Sequence, residues 1–178
     1  MGMLELLKGL GATFEMQKDA KKVVIDPAGI SSKPLDSAMV RRLRTSILLA
    51  GPLLARFGQV EMEHPGGCFI GKRPIDLFLD GFEKLGANVE MSDSKFKLQS
   101  RGRLKAAHIF FPQVTVTGTE AMMMTAVLAE GKTVLQNCAS EPEIPVLAAY
   151  LNACGAKITG AGTSTIEIEG VEKISAGE

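Results

Sequence analysis

The sequence has no tryptophan, one tyrosine and only 5% aromatic residues, so it offers little surface on which nucleic-acid bases could stack. Twenty lysines and arginines balance twenty acidic residues. A formal net charge of zero removes the overall positive field on which non-specific binding to nucleic acid or to an anionic membrane depends. We therefore expect no nucleic-acid partner, and any anion-binding site must be local.

Long apolar runs are also missing. The longest, residues 47–55, has about half the length of a membrane-spanning helix and contains Gly51 and Pro52. Residues 1–12 have the pattern of an amphipathic helix and lack the basic start and long apolar stretch of a secretory signal. We therefore expect no membrane partner and a cytoplasmic location.

Cysteine and histidine are scarce. The three cysteines, Cys68, Cys138 and Cys154, are odd in number and widely spaced, which fits a reducing compartment better than a disulfide framework. The two histidines, His64 and His108, form no pair at zinc-binding spacing with each other or with a cysteine. The sequence predicts neither a metal site nor a cofactor.

The chain contains a repeat of about 70 residues. A Leu-Gly-Ala or Cys-Gly-Ala triplet ends an amphipathic run at Gly11, Gly86 and Gly155, and two short alternating segments follow each triplet. Each unit reads as helix, strand, helix and hairpin, which predicts an α+β fold of repeated strand–helix units in one domain spanning residues 1–178. The units are incomplete at both ends, so we expect a part of a longer protein. The predicted strands are 13–16, 22–26, 59–63, 88–91, 95–99, 132–136, 157–159 and 165–169, and the predicted helices are 36–57, 74–85, 119–129 and 143–153.

Two helix starts can be placed from the sequence. Pro34 and Asp36 suit the beginning of the long helix, and Thr117 with Glu120 has the spacing of a capping box before a methionine-rich helix. The consecutive methionines 122–124 cannot share one helix face. They indicate a helix buried on most sides, with a methionine-based binding surface as the alternative.

The glycine-rich segment 64–76 carries the candidate chemistry. Cys68 stands near its middle, and Lys72 with Arg73 near its end would favour an anion at the start of the following helix. A thiolate would be stabilised in such surroundings, which would make Cys68 reactive. The alternative is that Cys68 is a small buried apolar residue in a turn shaped by glycines.

Two other interpretations of the charged segments are weaker. Gly66, Gly71 and Lys72 have the spacing of a phosphate-binding loop, but Arg73 stands where a Ser or Thr would bind magnesium. On the helix predicted over 36–57, Arg41 and Arg44 would share a face three residues apart, with Arg42 pointing elsewhere. A solvated helix face is the ordinary explanation for each of these arginines.

Several of these segments together resemble one enzyme family, the UDP-N-acetylglucosamine 1-carboxyvinyltransferases. The resemblance runs in order through nearly the whole chain, from about Leu4 to Glu172. The segments that carry it are Arg44-Thr45-Ser46-Ile47, 51–58, Pro65-Gly66-Gly67-Cys68, 70–77, 102–109, 114–120 and Glu141-Pro142-Glu143-Ile144.

The resemblance implies transfer of the enolpyruvyl group of phosphoenolpyruvate to the 3-hydroxyl of UDP-N-acetylglucosamine, with release of phosphate, in peptidoglycan synthesis. It also implies two similar domains, each an inside-out α/β barrel of three repeated units with helices packed inside, that close over both substrates. This chain resembles one of them, the domain with the cysteine loop, so a second domain is an expected partner.

Residue roles follow from the same resemblance. Cys68 matches the loop cysteine that protonates the phosphoenolpyruvate methylene, forms an adduct with that substrate and is alkylated by fosfomycin. Arg73 matches an arginine that contacts the phosphate-bearing substrate and also lies among the nucleotide-sugar contacts, and Arg44 matches one at the sugar-nucleotide site. The remaining positions matched to the nucleotide-sugar site are Pro74, Ile75, Asp76, Leu77, Gln113, Val114, Thr115 and Val116.

Three positions depart from the family pattern: Gln113 replaces the Lys of some relatives, Phe78 a common His, and Ala121 a frequent Asn. The related transferase that acts on shikimate 3-phosphate lacks the cysteine loop, so Cys68 argues against that substrate. Because residues supplied by the other domain have no counterpart here, we expect the isolated chain to lack activity. A non-catalytic module that binds the nucleotide sugar or only folds is the alternative.

Overall fold

The computed structural model describes residues 2–17, 19, 21–66 and 75–175. The elements alternate helices with short strands, as the repeat predicts. In chain order they are α1 (Gly2–Leu10), β1 (Thr13–Gln17), β2 (Lys22–Asp26), α2 (Ser37–Arg42), a 3₁₀ helix (Arg44–Leu49), α3 (Ala50–Phe57), β3 (Gln59–Glu63), α4 (Asp76–Lys84), β4 (Asn88–Met91), β5 (Lys95–Gln99), β6 (His108–Phe110), α5 (Val116–Ala126), β7 (Lys132–Gln136), α6 (Glu143–Ala153), β8 (Lys157–Thr159) and β9 (Thr165–Glu169).

The strands form three sheets. The hairpin β1–β2 is a sheet of two strands, and β3, β5 and β4 form a three-stranded antiparallel sheet in that order. The third sheet has the order β6, β7, β9, β8, in which β6 runs parallel to β7 and the other pairs are antiparallel. The hairpins β1–β2, β4–β5 and β8–β9 each follow a helix that ends at one of the three repeated Gly-Ala positions, so the predicted α+β repeat is confirmed.

Helix α5 lies at the centre of the helical layer. It packs against α3, α4, α6 and the 3₁₀ helix, and against strands β7 and β9. Met122 and Met123 are fully buried, and a helix that is apolar on all sides is expected to be enclosed in this way. The methionines therefore belong to the core and not to an exposed binding surface.

The helix predicted over 36–57 is wrong as one element. Asp36 caps its start as predicted, accepting a hydrogen bond from the backbone N–H of Met39 at 2.7 Å. The helix then ends at Leu43, whose backbone is extended (φ −123°, ψ 101°). The N–H of Gly66 donates to the carbonyl of Val40 at 3.3 Å, and that carbonyl is the group that the residue after Leu43 would bond in a continuous helix. A contact from the glycine-rich segment thus accompanies the break.

The predicted capping box is also wrong. Helix α5 begins at Val116, and the hydroxyl of Thr115 accepts the hydrogen bond from the Gly118 N–H at 3.2 Å. The extended backbone of Thr115 (φ −146°, ψ 121°) suits an N-cap, whereas Thr117 already lies inside the helix. In the described ranges, no helix is both long enough and apolar enough to span a bilayer.

Candidate functional site

The glycine-rich segment connects β3 to α4, and its middle lies outside the described residues. Cys68, Arg73 and Pro74 fall in the range 67–74, so the roles implied for them rest on the sequence. Residues 64–66 before this range and residues 75–77 after it are described. The site is therefore built from the two ends of the segment and from the elements that hold those ends.

Arg44 lies at the first end of the segment. Its guanidinium Nη1 donates to the carbonyl oxygen of Pro65 at 3.4 Å, and Pro65 itself is buried. The next residue, Gly66, lies directly against the end of α2, where a Cβ atom would collide with the carbonyl oxygen of Arg41. Only glycine permits so close an approach of two backbones. The start of the segment is thus anchored beside the arginine that the resemblance assigns to the sugar nucleotide.

Arg41 and Arg44 do not share a helix face as predicted, because α2 ends between them. Arg41 forms an ion pair with Glu63 at the end of β3. Hydrogen bonds from Ser37 and from Arg41 lower the pKa of the Glu63 carboxyl. Arg41 therefore ties α2 to β3, whereas Arg44, as the first residue of the 3₁₀ helix, reaches the glycine-rich segment. Arg42 is exposed, as expected for a solvated position.

The second end of the segment enters α4 at a buried residue. Ile75 is buried, and α4 begins at the exposed Asp76. Leu77 is half-buried and lies beside the first turn of α5, since a Cβ atom placed on Gly118 would stand 3.0 Å from its Cδ2 atom. Helices α4 and α5 thus start side by side.

The start of α5 carries the other stretch assigned to the nucleotide sugar. Gln113 and Val114 are exposed, and Thr115 and Val116 are half-buried. The hydroxyl oxygen of Thr115 accepts the capping hydrogen bond from the Gly118 N–H. The backbone carbonyl of Thr115 accepts a hydrogen bond from Thr119 Oγ1 at 2.7 Å. The fold therefore places Leu77 next to Gly118 in the first turn of α5, although the two residues are far apart in sequence. Arg44 belongs to the other end of the segment, with Pro65.

The sequence did not predict the raised pKa of Glu120, an acidic residue of α5. Burial, with the nearby carboxylate of Glu143 as the smaller cause, raises the pKa of Glu120. Glu143 is the first residue of α6 and Glu120 is the fifth residue of α5, so the packing of these two helices brings the two acidic side chains near each other. Glu120 and Glu143 both occur in the motifs that resemble the transferase family, which was the available signal.

Two of the departures from the family pattern are core residues. Phe78 is 5% exposed and Ala121 is fully buried, so both contribute to packing between α4, α5 and their neighbours. Gln113 is the exposed one of the three. Among the described residues, no three His, Cys, Asp or Glu side chains are grouped as a metal site would require.

The two described cysteines are buried, as predicted. Cys138 and Cys154 are each 4% exposed, and burial raises the pKa of the Cys138 thiol to about 11. A thiol that is shielded from solvent is a poor nucleophile. These two residues are therefore structural, and the nucleophilic thiol predicted for this chain is Cys68.

A comparison with protein families matches the model described as EPSP synthase (3-phosphoshikimate 1-carboxyvinyltransferase) over residues 1–178. The chain belongs to this family. Within the EPSP synthase family, it is similar to proteins named UDP-N-acetylglucosamine 1-carboxyvinyltransferase. The relative from Cellvibrio japonicus is 49% identical over 173 residues, and the relative from Psychromonas ingrahamii is 46% identical over 171 residues. These matches cover 97% and 96% of this chain but only 41% and 40% of the relatives.

Solved structures show the same fold. The enolpyruvyl transferase NikO from Streptomyces tendae matches with a TM-score of 0.82 at 20% identity, over 98% of this chain and 41% of that one. EPSP synthase from Acinetobacter baumannii matches with a TM-score of 0.74 at 19% identity, over 98% of this chain and 40% of that one. The chain therefore has the α+β enolpyruvyl-transferase fold. It spans about two fifths of the length of the relatives that it matches.

Proposed function

We propose that the 178 residues are one domain, the cysteine-loop domain, of a transferase that moves the enolpyruvyl group of phosphoenolpyruvate to the 3-hydroxyl of UDP-N-acetylglucosamine in cytoplasmic peptidoglycan synthesis. The observation that carries the proposal is the 49% identity to a protein of that name over 97% of the chain. The wider family also includes transferases for shikimate 3-phosphate. The cysteine in the segment between β3 and α4 favours the nucleotide-sugar substrate.

The chemistry requires an acid at the methylene carbon and cations around the phosphate. In the proposed reaction the 3-hydroxyl gives its proton to a base of the second domain as its oxygen bonds to C2 of phosphoenolpyruvate, and the Cys68 thiol protonates C3 and becomes a thiolate. A proton then returns from C3 to a base while the bond between C2 and the phosphate oxygen breaks, which restores the double bond and releases phosphate. Arg73 is the proposed contact to the phosphate and also one of the contacts to the nucleotide sugar.

The described residues support a nucleotide-sugar contact at two places. Arg44 stands beside Pro65 with a cationic group at the start of the segment. Leu77 lies against the first turn of α5, and the exposed Gln113 and Val114 precede that helix in the sequence. We propose that Pro74, Ile75, Asp76 and Leu77, together with Gln113, Val114, Thr115 and Val116, line the UDP-N-acetylglucosamine site.

In the proposed enzyme this chain forms one side of the active site, and a second domain forms the other side. Groups from a second domain would complete charge neutralisation and exclude water, and losing one preorganised donor alone typically costs about 10²–10³ in rate. We therefore expect the isolated chain to fold without turning over phosphoenolpyruvate and UDP-N-acetylglucosamine.

The test measures phosphate release by the chain alone and by the chain mixed with the complementary part of the Cellvibrio japonicus relative. The expected result is no release alone, release from the mixture, and none from a mixture that contains Cys68→Ala. The chain alone could instead turn over both substrates at the rate of a complete transferase and lose that activity in Cys68→Ala. This result would refute the proposal that the chain carries only one side of the active site. A titration with UDP-N-acetylglucosamine that perturbs no residue among 75–77 and 113–116 would refute the assigned binding site.

A further inference from the structure

Helix α2 ends at a place where the local sequence favours a longer helix. Residues 37–44 are Ser-Ala-Met-Val-Arg-Arg-Leu-Arg, of which most are strong helix formers and none is glycine or proline. The next proline, Pro52, lies in the first turn of α3, beyond the whole 3₁₀ helix. The extended backbone of Leu43 therefore has its cause outside α2.

Gly66 covers the two carbonyl groups that a longer α2 would need. In a continuous helix the N–H groups of residues 44 and 45 donate to the carbonyls of Val40 and Arg41. Here the carbonyl of Val40 accepts from the N–H groups of Leu43 and Gly66, both at 3.3 Å. A Cβ atom built on Gly66 would stand 2.8 Å from the carbonyl carbon of Arg41 and would collide with its oxygen. Residues 44 and 45 can continue the helix only where Gly66 is displaced.

Neighbouring elements hold the path of the chain from β3 to Gly66. Arg41 forms its ion pair with Glu63, so the last turn of α2 is fixed against the end of β3. The N–H of His64 donates to the carbonyl of Ser94 at 2.9 Å, in the turn of the hairpin β4–β5. Only Pro65 separates His64 from Gly66. The backbone of Gly66 is therefore held against α2 by contacts on both sides of the ion pair.

The end of α2 determines where the guanidinium of Arg44 lies. In a continuous helix Arg44 would share a face with Arg41, which lies beside Glu63. Because α2 ends first, Arg44 begins the 3₁₀ helix, and its Nη1 donates to the carbonyl of Pro65 at 3.4 Å. Pro65 directly precedes Gly66, so the residue that ends the helix is adjacent to the residue that receives the arginine.

We propose that Gly66 is a positioning residue for Arg44: by covering the end of α2 it ends that helix before Arg44 and directs the guanidinium to the start of the glycine-rich segment. The inference rests on the proposed function for the ligand of Arg44, which is the nucleotide sugar. The requirement for glycine is steric. The φ angle of Gly66 lies outside the left-handed region, so alanine adds no backbone strain there and introduces only the collision with Arg41.

The first test measures the break without ligand, by NMR of the isotope-labelled chain. In the parent we expect an extended Cα shift at Leu43, an Overhauser contact between Arg44 and Pro65, and exchange of the Gly66 amide about tenfold or more slower than in an unstructured peptide. In Gly66→Ala the Leu43 shift should move towards the helical value and the contact should disappear, with α5 unchanged. Gly9→Ala is the matched control, because its Cβ would meet no atom within 4 Å, and it should change none of these signals.

The second test measures the affinity for UDP-N-acetylglucosamine, with the chain mixed with the complementary part of the Cellvibrio japonicus relative. Gly66→Ala and Arg44→Gln should each raise Kd by about tenfold or more, the effect of losing one hydrogen bond from a charged group. The double variant should bind no more weakly than Arg44→Gln alone, because Gly66 acts through Arg44. Additive losses in the double variant would overturn the proposal.

The structural signals decide the proposal separately from the proposed function. An unchanged Kd in Arg44→Gln would contradict the nucleotide-sugar role of Arg44, whereas the signals of Leu43 and Pro65 would still test its position. Retention of the extended Leu43 shift and of the Arg44–Pro65 contact in Gly66→Ala would overturn the proposal, as would an unprotected Gly66 amide in the parent.

A second variant keeps the test decisive where Gly66→Ala does not fold. Glu63→Gln releases Arg41 and adds no atom, so it loosens the end of α2 from β3 without a collision. It should speed exchange of the Gly66 amide and move the Leu43 shift towards the helical value. Faster exchange of Gly66 with an unchanged Leu43 shift would show that Gly66 does not end the helix.

Discussion

Arg103 donates a hydrogen bond from its guanidinium to the carbonyl of Val171 at 2.9 Å, across 68 positions of the sequence. The same side chain donates to the carbonyl of Ala129 at 3.1 Å and to that of Leu128 at 3.3 Å. The carbonyls of Leu128 and Ala129 follow the end of α5, where helical partners are no longer available, and that of Val171 follows the end of β9. One arginine therefore joins the turn before β6, the turn after α5 and the end of the last hairpin.

Replacing Arg103 with lysine should destabilise the fold even though the charge is kept. A single ammonium cannot reproduce the planar fork that reaches three carbonyls, and we expect a loss of about 1–3 kcal/mol in the free energy of unfolding. Urea denaturation measures this. Arg101→Lys, on the same exposed turn, is the control and should change stability by less than about 0.5 kcal/mol. Equal stabilities of the two variants would contradict the role of Arg103.

Replacing Gly51 with alanine should destabilise the contact between α3 and α5. A Cβ atom at Gly51 would collide with Thr125 Oγ1 and stand 3.1 Å from the carbonyl oxygen of Ala121. The helices would have to separate, at a cost of about 1–3 kcal/mol. Gly9→Ala in α1 is the matched control, because a Cβ there would meet no atom within 4 Å. It should stabilise the chain by up to about 1 kcal/mol through helix propensity, and thermal unfolding of both variants provides the comparison.

Replacing Glu120 with glutamine should raise stability at neutral pH and leave it unchanged in acid. The pKa of Glu120 in the folded chain is raised above its ordinary value of 4.5, first by burial and then by Glu143. Folding therefore favours the protonated carboxyl, and this contribution to stability is present below pH 4.5 and lost as the pH rises through the raised pKa. The glutamine variant has no such loss.

Urea midpoints recorded from pH 4 to pH 7 test this pH dependence, with the difference between variant and parent appearing only above the ordinary pKa of about 4.5. Glu143→Gln is the control, and its effect should be smaller because the neighbouring charge is the lesser cause of the shift. A difference that is the same at every pH would assign the effect to packing instead.

Cys68 should be the first thiol alkylated under native conditions. Cys138 and Cys154 are buried, and the raised pKa of Cys138 keeps that thiol protonated. Limited treatment with iodoacetamide followed by peptide mapping gives the order of labelling. In Cys68→Ala, labelling should be slow until the chain is unfolded. Preferential labelling of Cys154 in the native chain would show that the reactive thiol is misassigned.

The sequence alone determined the repeat and most of the strands. Strands β2, β3, β4, β5, β7, β8 and β9 have the predicted bounds, because each is a short strand-forming run set off by glycine stops and polar turns. Helix α6 likewise has its predicted ends at Glu143 and Ala153. The motif around Cys68 also indicated the family, which the match over residues 1–178 confirmed.

The tertiary structure alone decided the features that depend on contacts between distant segments. The helix after Asp36 breaks at Leu43, where the carbonyl of Val40 accepts a hydrogen bond from Gly66, a partner that helix periodicity cannot show. Strand β6 belongs to none of the hairpins that the repeat marks, and it forms because it pairs in parallel with β7. Leu77 meets the start of α5 through helix packing. Local patterns specify the elements, whereas these contacts form only once the elements are packed together.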